Sequence, residues 1–178
     1  MPEDNPTLYI RPLKTSDRNW VAQFMDEHWS STKIVSRGKV YYAHLLPGFV
    51  AYEGEEPSED EDDESLEEGD PIGLVTYNLE NEDCEIITIN SVKSELGVGA
   101  ALIEAVKAAA SESGIKRIWL ITTNDNMHAL RFYQRNGFHL VAVYPDALAE
   151  SRKLKPQIPL VGKNGIPLRD EIELEIRL

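Results

Sequence analysis

The sequence has few cysteines, few basic side chains and no long apolar run. Its single cysteine, Cys84, excludes an internal disulfide framework and fits a reducing compartment. No apolar run approaches the roughly 18 residues that a transmembrane helix needs. The opening stretch, MPEDNPTLYI, is acidic and polar, which is not typical of a signal peptide. We therefore expect a cytoplasmic protein that does not cross a membrane.

Basic residues are outnumbered, since 18 Lys and Arg stand against 31 Asp and Glu and leave a formal net charge of -13. Nucleic-acid binding needs a basic face, so no nucleic-acid partner is predicted. Much of the excess is local, because residues 54–70 include eleven acidic side chains and no basic one. Such a block repels itself and cannot bury apolar surface, which predicts a disordered loop. The alternative is a segment that recruits a basic partner.

The chain does contain alternating strand and helix patterns over 178 residues, a length that suggests one domain, 1–178. The pattern order is β-α-β-β-β-α-β-α-β-β, with residues 31–48 unassigned and a proline-containing connection at 145–170. This order predicts an α/β fold of the α+β type, with a mixed sheet of about seven strands and helices on both faces. The predicted strands are 7–13, 49–53, 72–79, 84–92, 116–123, 138–144 and 171–178, and the predicted helices are 14–29, 97–113 and 126–136.

Two glycines, Gly97 and Gly99, lie where a predicted strand gives way to a predicted helix. The first N–H groups of a helix lack intrahelical partners and carry partial positive charge, so glycines there let a phosphate approach. The alternative is a tight turn that needs positive φ. A dinucleotide fingerprint is excluded because no third glycine follows, and a Walker loop is excluded because no Gly-Lys-Ser/Thr follows.

A second motif follows the next strand and reads NMHALRFYQRNGF, from Asn126 to Phe138. It matches the pattern Asn-x-x-Ala-x-x-Phe-Tyr-x-x-x-Gly-Phe in full. The earlier segment SELGVG matches Gln/Arg-x-x-Gly-x-Gly/Ala at both glycines, with Ser94 in place of the leading Gln or Arg. Together the two segments and the element order resemble the GNAT superfamily of acyl-CoA N-acyltransferases, over nearly the whole chain.

The resemblance implies a GNAT fold whose sheet is splayed between its two central parallel strands. It implies acetyl-CoA as the donor, and direct attack by a primary amine in a ternary complex. The acceptor is then an amine on a small molecule or a protein. The implied cofactor-binding residues are Ile87, Thr88, Ile89, Ser94, Glu95, Leu96, Gly97, Val98, Gly99, Ala100, Asn126, Ala129, Phe132 and Tyr133.

The resemblance also implies a general acid, Tyr133, which can protonate the leaving thiolate. The alternative for Tyr133 is core packing, and the alternative for Asn126 is a helix N-cap. Glu85 or Asp83 is the candidate base, although either carboxylate can equally be a solvated strand-end charge. His28, His44 and His128 are further candidates for the base, and Cys84 is interpreted as a packing residue.

Three residues near the unassigned segment, Trp29, Ser31 and Arg37, are candidates for the acceptor site. A tryptophan beside hydroxyls and a cation can line a ligand site, and Arg37 would suit a carboxylate on the substrate. The alternative for Trp29 is that it covers the core. No metal site is predicted, and the last strand would support a homodimer if it lay at a sheet edge. Two other functions stay open: a catalytically silent acyl-CoA sensor and an interaction protein that uses the acidic loop.

Overall fold

The structure is a computed structural model that describes residues 7–57 and 69–178. In these ranges a seven-stranded mixed sheet has helices on both faces, as predicted, and a separate two-stranded hairpin lies beside it. The predicted disorder of the acidic segment falls mainly on residues outside the described ranges. The strands are β1 Leu8–Pro12, β2 Lys33–Ser36, β3 Lys39–Tyr42, β4 Gly48–Glu53, β5 Gly73–Glu80, β6 Asp83–Ser91, β7 Arg117–Thr123, β8 His139–Tyr144 and β9 Glu171–Arg177, and the helices are α1 Arg18–Trp29, α2 Val98–Glu112, α3 Met127–Arg135 and α4 Ala147–Leu154.

The strand order is β1-β4-β5-β6-β7-β9-β8, in which only β6 and β7 run parallel to each other. Their ladder runs from Asp83–Arg117 to Ile86–Leu120 and then ends, although both strands continue. Next to this point the β5–β6 register shifts, so that Ile87 has no directly opposed residue on β5. A bulge of this kind bends its strand and increases the twist. The predicted splay between the central parallel strands is therefore confirmed.

Each face of the sheet carries its own apolar core. On the α2 face, Leu102, Ile103 and Val106 are buried against Cys84 and Ile118, at the inner positions of an amphipathic helix. Each such side chain stabilises the fold by about 1.5–3 kcal/mol through removal from water. On the other face, which we call the hairpin face, α1 buries Val21, Phe24 and Met25 against β5 and β6. The sheet is thus covered on both sides around the splay.

The unassigned residues 31–48 contain the β2–β3 hairpin. Its two-residue turn, Arg37–Gly38, has positive φ at both positions, 48° and 74°. Two-residue hairpin turns of this kind are usually marked by Asn-Gly or Asp-Gly, and an arginine in the first position hides the signal.

The proline-containing connection differs from its prediction because it includes α4. The octapeptide ALAESRKL consists mostly of good helix formers, and the prolines lie outside it. The last strand, β9, lies between β7 and β8, so it is not a sheet edge and cannot pair with a second chain. A homodimer stays a prediction, but it cannot form through pairing of β9 with a second chain. Among the described residues, no helix is both long and apolar enough to cross a membrane.

Candidate active site

A cleft of about 510 Å³ opens at the splay, and we call it the glycine cleft. It is bordered by β6, β7, the start of α2 and one side of α3. Ten of the fourteen predicted cofactor residues line it: Ile87, Ile89, Ser94, Gly97, Gly99, Ala100, Asn126, Ala129, Phe132 and Tyr133. The side chains of the other four lie elsewhere. Val98 is fully buried, Leu96 packs on the core, Thr88 bonds the hydroxyl of Thr76 on the hairpin face, and Glu95 is exposed.

The local structure explains why both positions of the motif are glycine. Gly97 has φ of 67°, which disfavours a side chain, and a Cβ there would meet nothing within 4 Å. At Gly99 a Cβ would lie 2.8 Å from Cζ of Phe132, so glycine permits the close packing of α3 on α2. The turn interpretation is therefore correct for Gly97. It does not exclude the phosphate interpretation, because the same positive-φ residue faces open space in the cleft.

The second motif places two polar groups at the cleft. The side-chain oxygen of Asn126 accepts a hydrogen bond from the N–H of Ala129 at 3.2 Å, so Asn126 is the N-cap of α3. Tyr133 packs between Phe132 and Phe138, with ring centroids 5.3 and 5.7 Å away. Its hydroxyl makes no hydrogen bond to any residue of the described ranges. Burial raises the pKa of Tyr133, so the phenol keeps its proton at neutral pH.

A second cavity of about 410 Å³ lies under the hairpin, and we call it the hairpin cavity. Its walls come from the end of α1, from β2, from the sheet and from the segment 148–168. It shares Trp29, Ile86, Ile87, Ile121, Thr122 and Asn126 with the glycine cleft. The cavity and the cleft therefore meet at the splay, where the β6–β7 ladder has ended.

Glu85 is a buried carboxylate on the wall of the hairpin cavity, with 5% of its surface exposed. Ser36 and Tyr41 of the hairpin both donate hydrogen bonds to it, the Tyr41 bond at 3.1 Å. Desolvation raises the pKa of Glu85 above the usual carboxyl value, although these two bonds act in the opposite direction. A carboxylate with a raised pKa is suited to accept a proton near neutral pH.

Asp83, the other predicted candidate for the base, lies two residues before Glu85 and away from the splay. Its carboxylate pairs with Arg117 at 3.3 Å, in a surface pit beside Trp119. It lines neither the glycine cleft nor the hairpin cavity. Of the two candidates, the structure brings only Glu85 to the cavity.

The three predicted acceptor residues separate. Trp29 lines both the cleft and the cavity. Ser31 lines neither, and its hydroxyl accepts the N–H of Lys33 at 3.0 Å. Arg37 also lies outside the lining: its guanidinium pairs with Glu171 at 3.7 Å and lies over the ring of Tyr144 at 3.3 Å. Arg37 thus already has an anionic partner inside the protein.

The histidines separate in the same way. His28 and His128 line the glycine cleft, whereas His44 lies outside the lining of both spaces. Its Nδ1 atom is buried and has no hydrogen-bond partner in the described part of the chain.

The residues that sequence reasoning missed reach the site from distant parts of the chain. Glu171 and Lys155 line the hairpin cavity, Ser36 and Tyr41 hold Glu85, and Lys163 lines the glycine cleft. The separation in sequence hides these contacts, because the nearest motif to Glu85 lies about ten residues away. Only the fold brings the hairpin onto β6.

Asn124 and Asp125, which precede Asn126, organise the segment 155–170, which we call the strap. The side-chain oxygen of Asn124 accepts the N–H groups of Arg169 and Asp170, both at 3.0 Å. Asp125 accepts the N–H of Lys163 at 2.8 Å. The three residues of the Asn-Asp-Asn run therefore divide between holding the strap and capping α3.

Cys84 is fully buried on β6, and burial raises the pKa of its thiol to about 12. The thiolate is the reactive form, so we expect the native protein to react negligibly with Ellman's reagent at pH 8. In denaturant one thiol per chain should appear. Rapid labelling of the native protein would contradict the buried position. An unreactive Cys84 also has a practical use, because the native protein would add no background to an assay that detects the free thiol of coenzyme A.

The glycine cleft and the hairpin cavity thus meet beside a pair of parallel strands whose ladder ends early. A model of the acetyltransferase (GNAT) family matches residues 24–138, and the chain belongs to this family. It is 40% identical over 167 residues to the uncharacterized protein YxbD of Bacillus subtilis (strain 168), covering 94% of this chain and 97% of that one.

Solved structures show the same fold. One is an acetyltransferase of Bacillus subtilis in complex with CoA, with a TM-score of 0.61, 21% identity, and coverage of 97% of this chain and 99% of that one. Another is a GNAT family acetyltransferase from Elizabethkingia anophelis with acetyl-CoA bound. It has a TM-score of 0.61, 19% identity, and coverage of 99% and 100% of the two chains.

Proposed function

We propose that the protein transfers an acetyl group from acetyl-CoA to the primary amine of a small molecule, by direct attack in a ternary complex. The observation that carries the proposal is the shared wall of the glycine cleft and the hairpin cavity at the splay. A donor in the cleft and an acceptor in the cavity would meet there, beside the part of β6 that lies beyond its ladder with β7. The family membership and the CoA and acetyl-CoA in two structures of the same fold support the donor.

The residues of the glycine cleft fit coenzyme A. The first turn of α2 offers N–H groups to a pyrophosphate, and Gly97 leaves the approach open. Lys163 supplies a cation from the strap. Beyond Ile86, the backbone edge of β6 that faces β7 has no ladder partner, so its polar groups are available to an extended amide chain such as pantetheine.

The thioester supplies an activated acyl group: a C–N bond forms as the C–S bond breaks, the amine loses a proton and the sulfur gains one. Glu85 accepts the amine proton, directly or through water, from the wall of the hairpin cavity. Tyr133 donates its proton to the sulfur from the side of the glycine cleft. A free N–H of the splayed part of β6 stabilises the negative charge on the carbonyl oxygen.

The size of the hairpin cavity favours a small acceptor. A volume of about 410 Å³ is in the range of small-molecule sites, and residues of α4 and the strap line part of it. A protein acceptor would need a groove open along the length of a peptide. The volume of the cavity therefore favours a free amine over a lysine or an N-terminus of a protein.

The donor half of the proposal is tested by Ala100→Glu. Ala100 lines the glycine cleft in the first turn of α2, where a new carboxylate would oppose the phosphates of the ligand. Like-charge juxtaposition costs several kcal/mol, so we expect affinity for acetyl-CoA in calorimetry to fall by about a hundredfold. Ala101→Glu places the same charge one residue on and outside the cleft, and is expected to bind nearly as well as the wild type. Equal affinity of both variants and the wild type would place the phosphates elsewhere.

A further inference from the structure

The charged groups of the hairpin cavity are segregated. Two buried carboxylates, Glu85 and Glu171, lie on its sheet side, on β6 and β9. The part of the lining that comes from α4 and the start of the strap contributes one cation, Lys155, and no acidic residue. Because Glu171 is paired with Arg37, Glu85 and Lys155 are the charged lining groups without an ion-pair partner among the described residues. Such a pair is complementary to a ligand that carries both charges.

Lys155 has no carboxylate partner in the described part of the chain. Its ammonium group donates to the main-chain oxygen of Lys33 at 2.7 Å, and the side chain of Lys33 donates in return to the main-chain oxygen of Leu154. Both acceptors are neutral main-chain oxygens, and neither ammonium group pairs with a carboxylate of the described residues. Lys155 is half-buried, and its pKa is lowered by that burial and by Lys33. A partly desolvated cation in this setting is stabilised by any anion that enters the cavity.

Strand β2 gives the separation of the two charges. Lys33 holds Lys155 at one end of this strand, and Ser36, three residues on, holds Glu85. A strand rises about 3.3 Å per residue, so the ammonium group and the carboxylate are on the order of 10 Å apart. The wall between them includes Ile34 and Val35, which suits a short apolar body.

We propose that the acceptor is a small amino acid, with its amine at the splay beside Glu85 and its carboxylate on Lys155. This inference rests on the proposed function for the transfer itself. It replaces the sequence-based expectation for Arg37, because Arg37 is paired with Glu171 and lies outside the cavity. Ser151 and Gln157 line the same side of the cavity as Lys155 and add neutral hydrogen-bonding groups near the carboxylate.

The test uses matched acceptors. The proteinogenic amino acids and their decarboxylated amines are each supplied with acetyl-CoA, and release of coenzyme A is followed with Ellman's reagent. At least one amino acid is expected to exceed its decarboxylated partner by about tenfold or more in kcat/KM, since hydrogen bonds to charged groups have this strength. Lys155→Met should lower kcat/KM for that amino acid by about ten- to a hundredfold and leave the decarboxylated amine nearly unchanged.

The matched control is Lys153→Met, which removes an exposed lysine two residues before Lys155, in the last turn of α4, where it pairs with Glu150 at the surface. This control is expected to behave as the wild type. Wild-type turnover of the decarboxylated amines that equals or exceeds that of the amino acids would overturn the inference. An equal loss for both members of a pair in Lys155→Met would also overturn it, because Lys155 would then only join the strap to the hairpin.

A binding measurement separates this inference from the proposed function. The amino acids are titrated calorimetrically into the protein saturated with coenzyme A, which cannot react. Binding that Lys155→Met weakens, without any acetyl transfer in the first assay, would support the amino-acid site and refute the transferase proposal. Transfer to amines without binding of any amino acid would do the reverse.

Discussion

Replacing Tyr133 with Phe is expected to lower kcat by about 10²–10⁴-fold while acetyl-CoA binding changes little. The variant removes one oxygen from a side chain whose ring packing remains, so the α2 face should keep its core. General acid catalysis typically contributes a factor of this size. The hydroxyl bonds no other described residue, so its loss leaves no protein group unpaired. Steady-state kinetics with the preferred amine and calorimetry with acetyl-CoA measure the two quantities.

The matched control for this variant is Tyr77→Phe, the same chemical change at a tyrosine that stacks on Phe49 and lines neither space. It should keep its activity. A catalytically silent acyl-CoA sensor would bind acetyl-CoA in both variants and show no turnover in the wild type. Full activity of Tyr133→Phe would leave Tyr133 as a packing residue and assign the proton to another donor.

The second large effect is expected for Glu85→Gln, with kcat/KM reduced by about 10²–10⁴-fold. Glutamine keeps the size of the side chain but does not take a proton from the amine. Its oxygen can accept from one of the hydroxyls of Ser36 and Tyr41, and its NH2 group can donate to the other, since a hydroxyl also accepts. In the wild type, kcat/KM should fall as the pH falls through the raised pKa of Glu85. That limb of the pH profile should be missing from the residual activity of the variant.

The Glu85→Gln variant, although less active, is expected to be more stable than the wild type at neutral pH. The pKa of Glu85 is higher in the folded than in the unfolded protein, so the folded state holds this proton more tightly. Its contribution to stability is therefore greatest below the unfolded pKa and is lost as the pH rises through the folded pKa. Glu85→Gln removes that loss. The Tm of the variant minus the Tm of the wild type is therefore expected to be larger at pH 8 than at pH 5. The control for stability is Glu82→Gln, at an exposed position, which should show no such pH-dependent change in Tm. In the kinetic test, full activity of Glu85→Gln would contradict the role of Glu85 as the base.

The sequence predicted those helices and strands whose apolar periodicity or motif lies within the element itself. The helix at α2 and the strand at β7 show their apolar periodicity directly, and the motif from Asn126 to Phe138 marks α3. The hairpin was missed because Arg37 stands where a turn usually has Asn or Asp. The helix α4 was missed because prolines precede and follow its eight residues, and they favour an irregular connection.

The site was predicted where one segment carries it and missed where distant segments meet. The glycine cleft is built largely by two contiguous motifs, and ten of its predicted residues line it. The hairpin cavity is assembled by long-range contacts, such as Tyr41 on Glu85 and Lys155 on Lys33, which are 44 and 122 residues apart. No local pattern records such contacts, so the acceptor side could not be specified from the sequence.

The short β6–β7 ladder has a further consequence for how the protein responds to its ligands. The ladder between the β1-β4-β5-β6 half of the sheet and the β7-β9-β8 half has four residue pairs, Asp83–Arg117 to Ile86–Leu120. In the unliganded protein we therefore expect amide hydrogens of β6 and β7 beyond this ladder to exchange faster than those of the fully paired strands. In the proposed complex, a pantetheine chain bonded to both strands would bridge the two halves of the sheet, so the donor would stabilise the sheet as well as react.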